Sequence, residues 1–310
     1  MMLSWLWRLL LVGICATCGA ESVETIEETC EAGVCTDASS SSVSENAVKD
    51  LIEWIRSNGG FVYDGQEVAP EYPNDPSSSS FGAFATQKIA QGQVLLSIPK
   101  ELTIRPEKDQ DVRTDLTCDT VYALLKEIDL GDKSKFAPYV RHLLQVYETE
   151  LMAEEFSDAG LDLLKHILGD RLPPQDLDYT WQDEWQLNCD GGTEQDEIDA
   201  ALITVRAAEE EALIPFYDFY QHRNGNWLNT EFTRSNTGYK VTASRDIEAG
   251  EPIHNSFNMC SHCGERAVSG YGTGDVFRDY GVIEQMPQRW IFSSGGEKQE
   301  KMMFDLEEDS

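Results

Sequence analysis

Two stretches of strand-like sequence, far apart in the chain, carry closely similar text, and a long helical stretch separates them. The first, Phe81 to Ile104, reads FGAFATQKIAQGQVLLSIPKELTI. Its β-branched and aromatic residues are broken by Gly82 and Gly92 and stopped by Pro99, the pattern of two or three short strands with tight turns. The second, Tyr239 to Phe257, reads YKVTASRDIEAGEPIHNSF. Within it, Arg245-Asp246-Ile247-Glu248-Ala249-Gly250 echoes Gln87-Lys88-Ile89-Ala90-Gln91-Gly92. A chain that interrupts one β unit with about 110 mostly helical residues and then resumes it points to an α+β fold of small sheets with a helical inset; two domains in series fit less well.

The inset, residues 105–212, shows apolar residues at helical spacing. Val121, Leu124, Leu125 and Ile128 form one stripe, and Phe136, Tyr139, Val140, Leu143, Leu144 and Val146 a second. Leu161, Leu163, Leu164, Ile167 and Leu168 form a third, ended by Pro173-Pro174. Trp181 and Trp185 stand four apart and are expected to pack together. Asp196 to Ala212 predicts a helix with an acidic first turn and Ile198, Ala201, Leu202 and Val205 facing inward. These stripes read as core.

Upstream, Ala47, Leu51, Ile52, Trp54 and Ile55 predict a helix that starts at Ser44 and ends at Gly59-Gly60, so residues 44–104 form one block. Glu71 to Ser80 is a loop of Pro, Asn, Asp and Ser. Residues 21–43 are acidic, then serine-rich, with no hydrophobic period, and read as a disordered leader. Residues 1–20 have the pattern of a secretory signal peptide: Arg8, an apolar run to Ala16, and small residues at Cys18 and Ala20 before a cut. A membrane anchor through the same segment is the alternative, and no other stretch approaches spanning length. The expected home is therefore the secretory pathway or outside the cell. Removal of the signal leaves Cys30, Cys35, Cys118, Cys189, Cys260 and Cys263, which permit up to three disulfides of open connectivity. Cys260 and Cys263 also have the spacing of half a zinc site, which would need a distant ligand.

The net charge of −32 repels nucleic acid and anionic membranes and attracts basic peptides or proteins. The oligomeric state is open.

Leu213 to Thr230, LIPFYDFYQHRNGNWLNT, is too polar for a core strand and too apolar for a free loop. Asp218, Gln221 and His222 fall at i, i+3 and i+4, so one helical turn would put them on a single face, followed by an Arg-Asn-Gly turn. The stretch reads either as a packed aromatic corner with one satisfied histidine or as a pocket wall presenting an amide and an imidazole. Asp218 reads as a support for the local backbone.

These blocks together resemble the SET-domain protein methyltransferases, in particular the branch with a helical insert typified by the Rubisco large-subunit lysine methyltransferases and the actin-histidine methyltransferases. Phe81-Gly82-Ala83-Phe84-Ala85-Thr86 with Ile89, Gly92 and Ile98-Pro99 is similar to the first family block. Ile214-Pro215, Asp218 and Gln221-His222 are similar to the block that ends Asn-His in the family. Tyr239 to Asn258 with Asp279-Tyr280-Gly281-Val282 is similar to the last block, and the resemblance spans Ser44 to Trp290. It implies a SET fold of small β-sheets around a knot-like crossing, with SET blocks at 44–104 and 213–292 and an acidic tail over 293–310. It implies S-adenosyl-L-methionine as cofactor, held by a small-residue turn at Gly82, Ala83 and Phe84 and by Gln221 and His222, with no metal in the chemistry. The substrate it implies is a protein lysine, or a histidine, on a basic partner. The family's catalytic tyrosine position holds Phe257, and its asparagine position holds Gln221. Both departures point to a weakened enzyme, with Tyr280 as a source of partial rescue, or to a catalytically silent binding module for basic proteins.

Overall fold

The computed structural model describes residues 45–71, 81–106, 118–147, 157–160, 162, 181–209, 211–257, 272–293 and 301–307, all within the unit Ser41–Ser310. The signal peptide, the acidic leader with Cys30 and Cys35, the Leu161–Leu168 stripe (apart from Asp162), Asn258 and the Cys260–Cys263 pair lie outside the described residues.

The two strand blocks meet in one sheet. β1 (Phe61–Val62), β4 (Val94–Pro99), β8 (Gly238–Ala243) and β7 (Thr230–Ser235) form a four-stranded antiparallel sheet in the order β1-β4-β8-β7. In its central pair Ile98 faces Tyr239 and Leu96 faces Val241, and all four side chains are buried. The echoed segments clasp each other directly. Ile89 and Ile247 exchange backbone hydrogen bonds of 2.9 Å in both directions, and the Gly92 N–H donates to the Ala243 carbonyl at 2.8 Å. A second pair, β2 (Gln66–Pro70) with β3 (Phe81–Ala85), is antiparallel with Gly82 opposite Ala69. Gly82 and Ala83 are thus extended strand and not the small-residue turn expected from the sequence.

Helix α1 (Glu45–Ser57) buries Leu51 and Ile55 completely and packs on α3 (Ala137–Tyr147), with the Trp54 indole N–H on the Lys135 carbonyl at 3.0 Å. In the inset, α2 (Cys118–Leu130) and α4 (Trp181–Asn188) both pack on α5 (Gln195–Ala207). Trp181 and Trp185 are buried on α4, but the Trp185 ring stands against Tyr122 of α2, 5.1 Å between centroids. The tiny hairpin of β5 (Ala208–Glu209) and β6 (Ala212–Leu213) closes the inset, and Leu213 exchanges backbone hydrogen bonds with Ile104. Helix α6 (Thr273–Tyr280) and the hairpin β9 (Gln288–Ser293) with β10 (Lys301–Leu306) come last in the chain.

A disulfide joins Cys118 at the start of α2 to Cys189 at the end of α4. It closes a span of 71 residues, so its removal frees considerable chain entropy in the unfolded state. The double variant Cys118→Ala/Cys189→Ala is expected to lose about 2–4 kcal/mol of unfolding free energy. Urea titration under oxidising conditions checks this; an unchanged midpoint would mean that the bridge contributes nothing to stability.

Candidate active site

The candidate site is built where β3 meets the segments 221–224 and 250–257. On one side β3 pairs with β2. On the other, the Ala83 carbonyl accepts the Ile253 N–H at 2.7 Å and the Ala85 N–H donates to the Glu251 carbonyl at 2.9 Å. Gly82 sits against Gln221. A Cβ on Gly82 would stand 3.2 Å from Glu71 Cγ and 3.4 Å from Gln221 Cγ. The tighter of the two approaches is to Glu71, and Gln221 lies at ordinary contact distance while its Nε2 donates to the Phe81 carbonyl at 2.6 Å. Ala83 is buried, whereas Phe81 and Phe84 are half-buried at the edge of the junction.

The single helical face expected for Asp218, Gln221 and His222 does not form. Phe216 enters the turn with φ 73°, one 3₁₀ turn runs Tyr217–Phe219, and Tyr220 is already extended. Phe216, Tyr217, Phe219 and Tyr220 are all buried, with ring centroids 5.2 Å apart for Phe216–Phe219 and 5.8 Å for Phe216–Tyr220. Burying four aromatic rings outweighs the weak pairings of one exposed helical turn. The consequence is a division of roles. Asp218 points to the inset, where its Oδ2 lies 2.6 Å from Nε2 of His142 on α3, both side chains being about 3% exposed or less. It therefore braces the inset and not its own backbone.

Gln221 and His222 instead join a parallel pairing with Asn255. The Asn255 N–H donates to the Gln221 carbonyl and the Arg223 N–H to the Asn255 carbonyl, both at 2.9 Å. This alignment brings His222 beside Phe257, whose N–H donates to His222 Nδ1 at 3.0 Å. The His222 and Phe257 rings stack at 4.9 Å, and the other neighbour of Phe257 is Tyr280 at 4.6 Å. Three residues singled out from sequence thus form one aromatic stack, and Gly82 and Gln221 adjoin it through residue 222.

Sequence reasoning missed the polar support beneath the stack. Glu284 Oε1 accepts from His222 Nε2 at 2.7 Å and from Asn224 Nδ2 at 2.6 Å, and Oε2 accepts the Thr273 hydroxyl. Asn255 Nδ2 donates to the Tyr217 hydroxyl at 2.6 Å. Burial, and then the Glu209 carboxylate, raise the Tyr217 phenol above its ordinary range, so it stays protonated. Glu284 lies 62 residues from His222, and the one signal it gives is a lone acid after the apolar Val282-Ile283.

His254 forms the back of the junction. Its backbone N–H donates to Asn229 Oδ1 at 2.8 Å, and its Nδ1 lies 3.3 Å from the Gln221 carbonyl. Burial dominates its titration and lowers the imidazole to about 4, while the Gln221 carbonyl acts in the opposite sense. A depressed histidine favours the folded state while it stays neutral. That stabilisation is complete above pH 6.5, the unfolded value, and is lost as pH falls toward 4. The expected loss is about 3 kcal/mol across that window. Denaturant titrations at stepped pH on wild type and His254→Gln check it: the variant's profile should lack this component, and parallel profiles would refute it.

A cavity of about 670 Å³ lies elsewhere, between Lys100–Pro106 and α2, lined by Arg105, Tyr122, Lys126 and Phe136 among others, and none of the candidate-site residues borders it.

The SET domain family model matches residues 80–258, more than half of the chain, and the chain belongs to that family. Gly82, Ala83, Phe84, Gln221, His222 and Phe257 lie within the matched span, and Tyr280 and Glu284 beyond it. Among solved structures, the chain is similar to Rubisco LSMT bound to AdoMet, with a TM-score of 0.53 and 13% identity over 85% of this chain and 67% of that one. It is also similar to the SET domain of LSMT bound to MeLysine and AdoHcy, with a TM-score of 0.51 and 14% identity over 84% of this chain and 66% of that one. At these identities the likeness is one of fold, and the chain spans about two thirds of the length of those structures. A search of curated proteins finds no match.

Proposed function

We propose that this SET-domain protein is an S-adenosyl-L-methionine-dependent protein-lysine N-methyltransferase. The observation that carries the reading is the junction of Gly82 with Gln221 beside the His222–Phe257–Tyr280 stack. Gly82 keeps the β3 backbone bare where the Glu71 and Gln221 side chains approach it. Gly82, Ala83 and Phe84 would border the cofactor from β3, Gln221 and His222 from the facing segment, and the edges of the stacked Phe257 and Tyr280 rings would line the approach of the target amine. The bound cofactor supplies an electrophilic methyl group. The chain's own task is alignment and the supply of a neutral amine, which costs about 4.6 kcal/mol for an unperturbed lysine at pH 7. Desolvation of the amine on binding would lower that cost by disfavouring the ammonium form.

The LSMT structures hold methyl-lysine and AdoHcy, or AdoMet, which supports the same reading here. The net charge of −32 favours a basic protein substrate. The signal-like residues 1–20 favour action in the secretory pathway, which N-terminal sequencing of the mature chain tests. The second reading, a silent module that grips basic proteins, is favoured by one observation, the absent hydroxyl at Phe257.

Calorimetric titration with S-adenosylmethionine, followed by labelled methyl transfer to lysine-rich peptides, separates the two. Binding with transfer supports the enzyme, binding without transfer supports the silent module, and no binding removes both. Gly82→Ala should bind within a few-fold of wild type, because Glu71 can swing aside. Gly82→Leu must displace Gln221, and overpacking of about 1–3 kcal/mol predicts binding weaker by roughly 10–100-fold. Equal affinity in the two variants would move the cofactor away from β3.

A further inference from the structure

We propose that Glu284 is the positioning residue of this site: its buried carboxylate holds the His222 imidazole in one tautomer and one plane, and through it sets where the Phe257 and Tyr280 rings stand. The proposal rests on reading the aromatic stack as the methyl-transfer site.

The hydrogen bonds leave His222 no choice. Nδ1 accepts the Phe257 N–H, so it carries no proton. The single ring proton therefore sits on Nε2 and is donated to Glu284 Oε1. Both side chains are about 1% exposed or less, so water does not compete for either nitrogen.

The same carboxylate gathers segments distant in sequence. Asn224 Nδ2 shares Oε1 with the imidazole, and Asn224 Oδ1 accepts the Ser256 hydroxyl at 2.9 Å, next to Phe257. The Thr273 hydroxyl donates to Oε2 and accepts the Arg289 N–H at 3.0 Å. Thr273 opens α6, the helix that ends at Tyr280. One side of the stack is thus tied to Glu284 through Asn224, Ser256 and His222, the other through α6.

A carboxylate buried this deeply is costly unless its oxygens are satisfied, and apolar residues of similar volume often serve stability as well or better. What an apolar substitute cannot do is orient an imidazole. A ring free to turn about its χ2 would carry Phe257 with it through the Nδ1 bond. Displacement of a reacting centre by about 1 Å costs on the order of 10²-fold in rate.

Nitrogen NMR on the full chain with ¹⁵N-labelled histidine tests this. Wild-type His222 should be neutral with its proton on Nε2, and a proton on Nδ1 would overturn the proposal without any variant. Glu284→Gln can set its amide oxygen in the Oε1 place and should keep the wild-type tautomer, whereas Glu284→Leu keeps much of the volume and offers the His222 Nε2–H no acceptor. In Glu284→Leu, His222 should populate both tautomers, the Phe257 and Tyr280 ring resonances should shift, and kcat should fall by about 10²-fold with cofactor affinity changed far less. Thr273→Val, which leaves the Oε1–His222 contact, should keep the wild-type tautomer. An unchanged His222 in Glu284→Leu, or equal loss of the tautomer in Thr273→Val, refutes the role. A chain that binds no S-adenosylmethionine yet shows these His222 signatures removes the methyl-transfer reading and leaves the positioning role standing.

Discussion

Phe257→Tyr should raise methyl transfer to lysine by about 10²–10³-fold, the usual worth of one oriented polar group facing a reacting centre. The ring of Phe257 is already held between His222 and Tyr280 at 4.9 and 4.6 Å, so the substitution adds one oxygen without moving the ring. Single-turnover labelling of a lysine peptide measures the gain. No rise, at unchanged cofactor affinity, would mean that the para position of residue 257 does not face the amine. The family's asparagine at this position would argue for adding Gln221→Asn to the repair. The structure argues against it, because the Gln221 amide reaches the Phe81 carbonyl at 2.6 Å and a side chain one methylene shorter would let go. Gln221→Asn alone should lower cofactor affinity.

Asp218→Ala should cost about 3–5 kcal/mol of unfolding free energy, the range for removing one partner of a buried ionisable pair. His142 and Asp218 are each about 3% exposed or less and meet at 2.6 Å, so truncation strands an imidazole. Among the described residues Asp218 Oδ1 has no hydrogen-bond partner, which makes the pair an expensive element and not an optimal one. The double variant Asp218→Leu/His142→Phe should recover most of the loss, since replacing both members by apolar groups is often neutral. Guanidinium titration of the two variants decides: an Asp218→Ala loss below about 1 kcal/mol would show that the contact is not maintained in solution.

The family and the α+β frame were legible because strand text, small residues and turn signals are local properties. Ile89 and Ile247 illustrate this: their shared surroundings in sequence became a mutual pairing in the fold. The turn at Asp218 was misread because helical spacing says nothing about four neighbouring aromatics competing for burial. Glu284 was invisible for a related reason, since its partners come from residues 222, 224 and 273, and no period in the chain links them. The Cys118–Cys189 pairing depended in the same way on how α2 and α4 pack.

The reciprocal hydrogen bonds between Ile104 and Leu213 mean that the helical inset leaves and re-enters the molecule through a single doorway. The two ends of the excursion are held a strand's width apart. The excursion can therefore vary in length between its ends while the sheet keeps its register, provided the His142–Asp218 contact and the packing on α1 are kept.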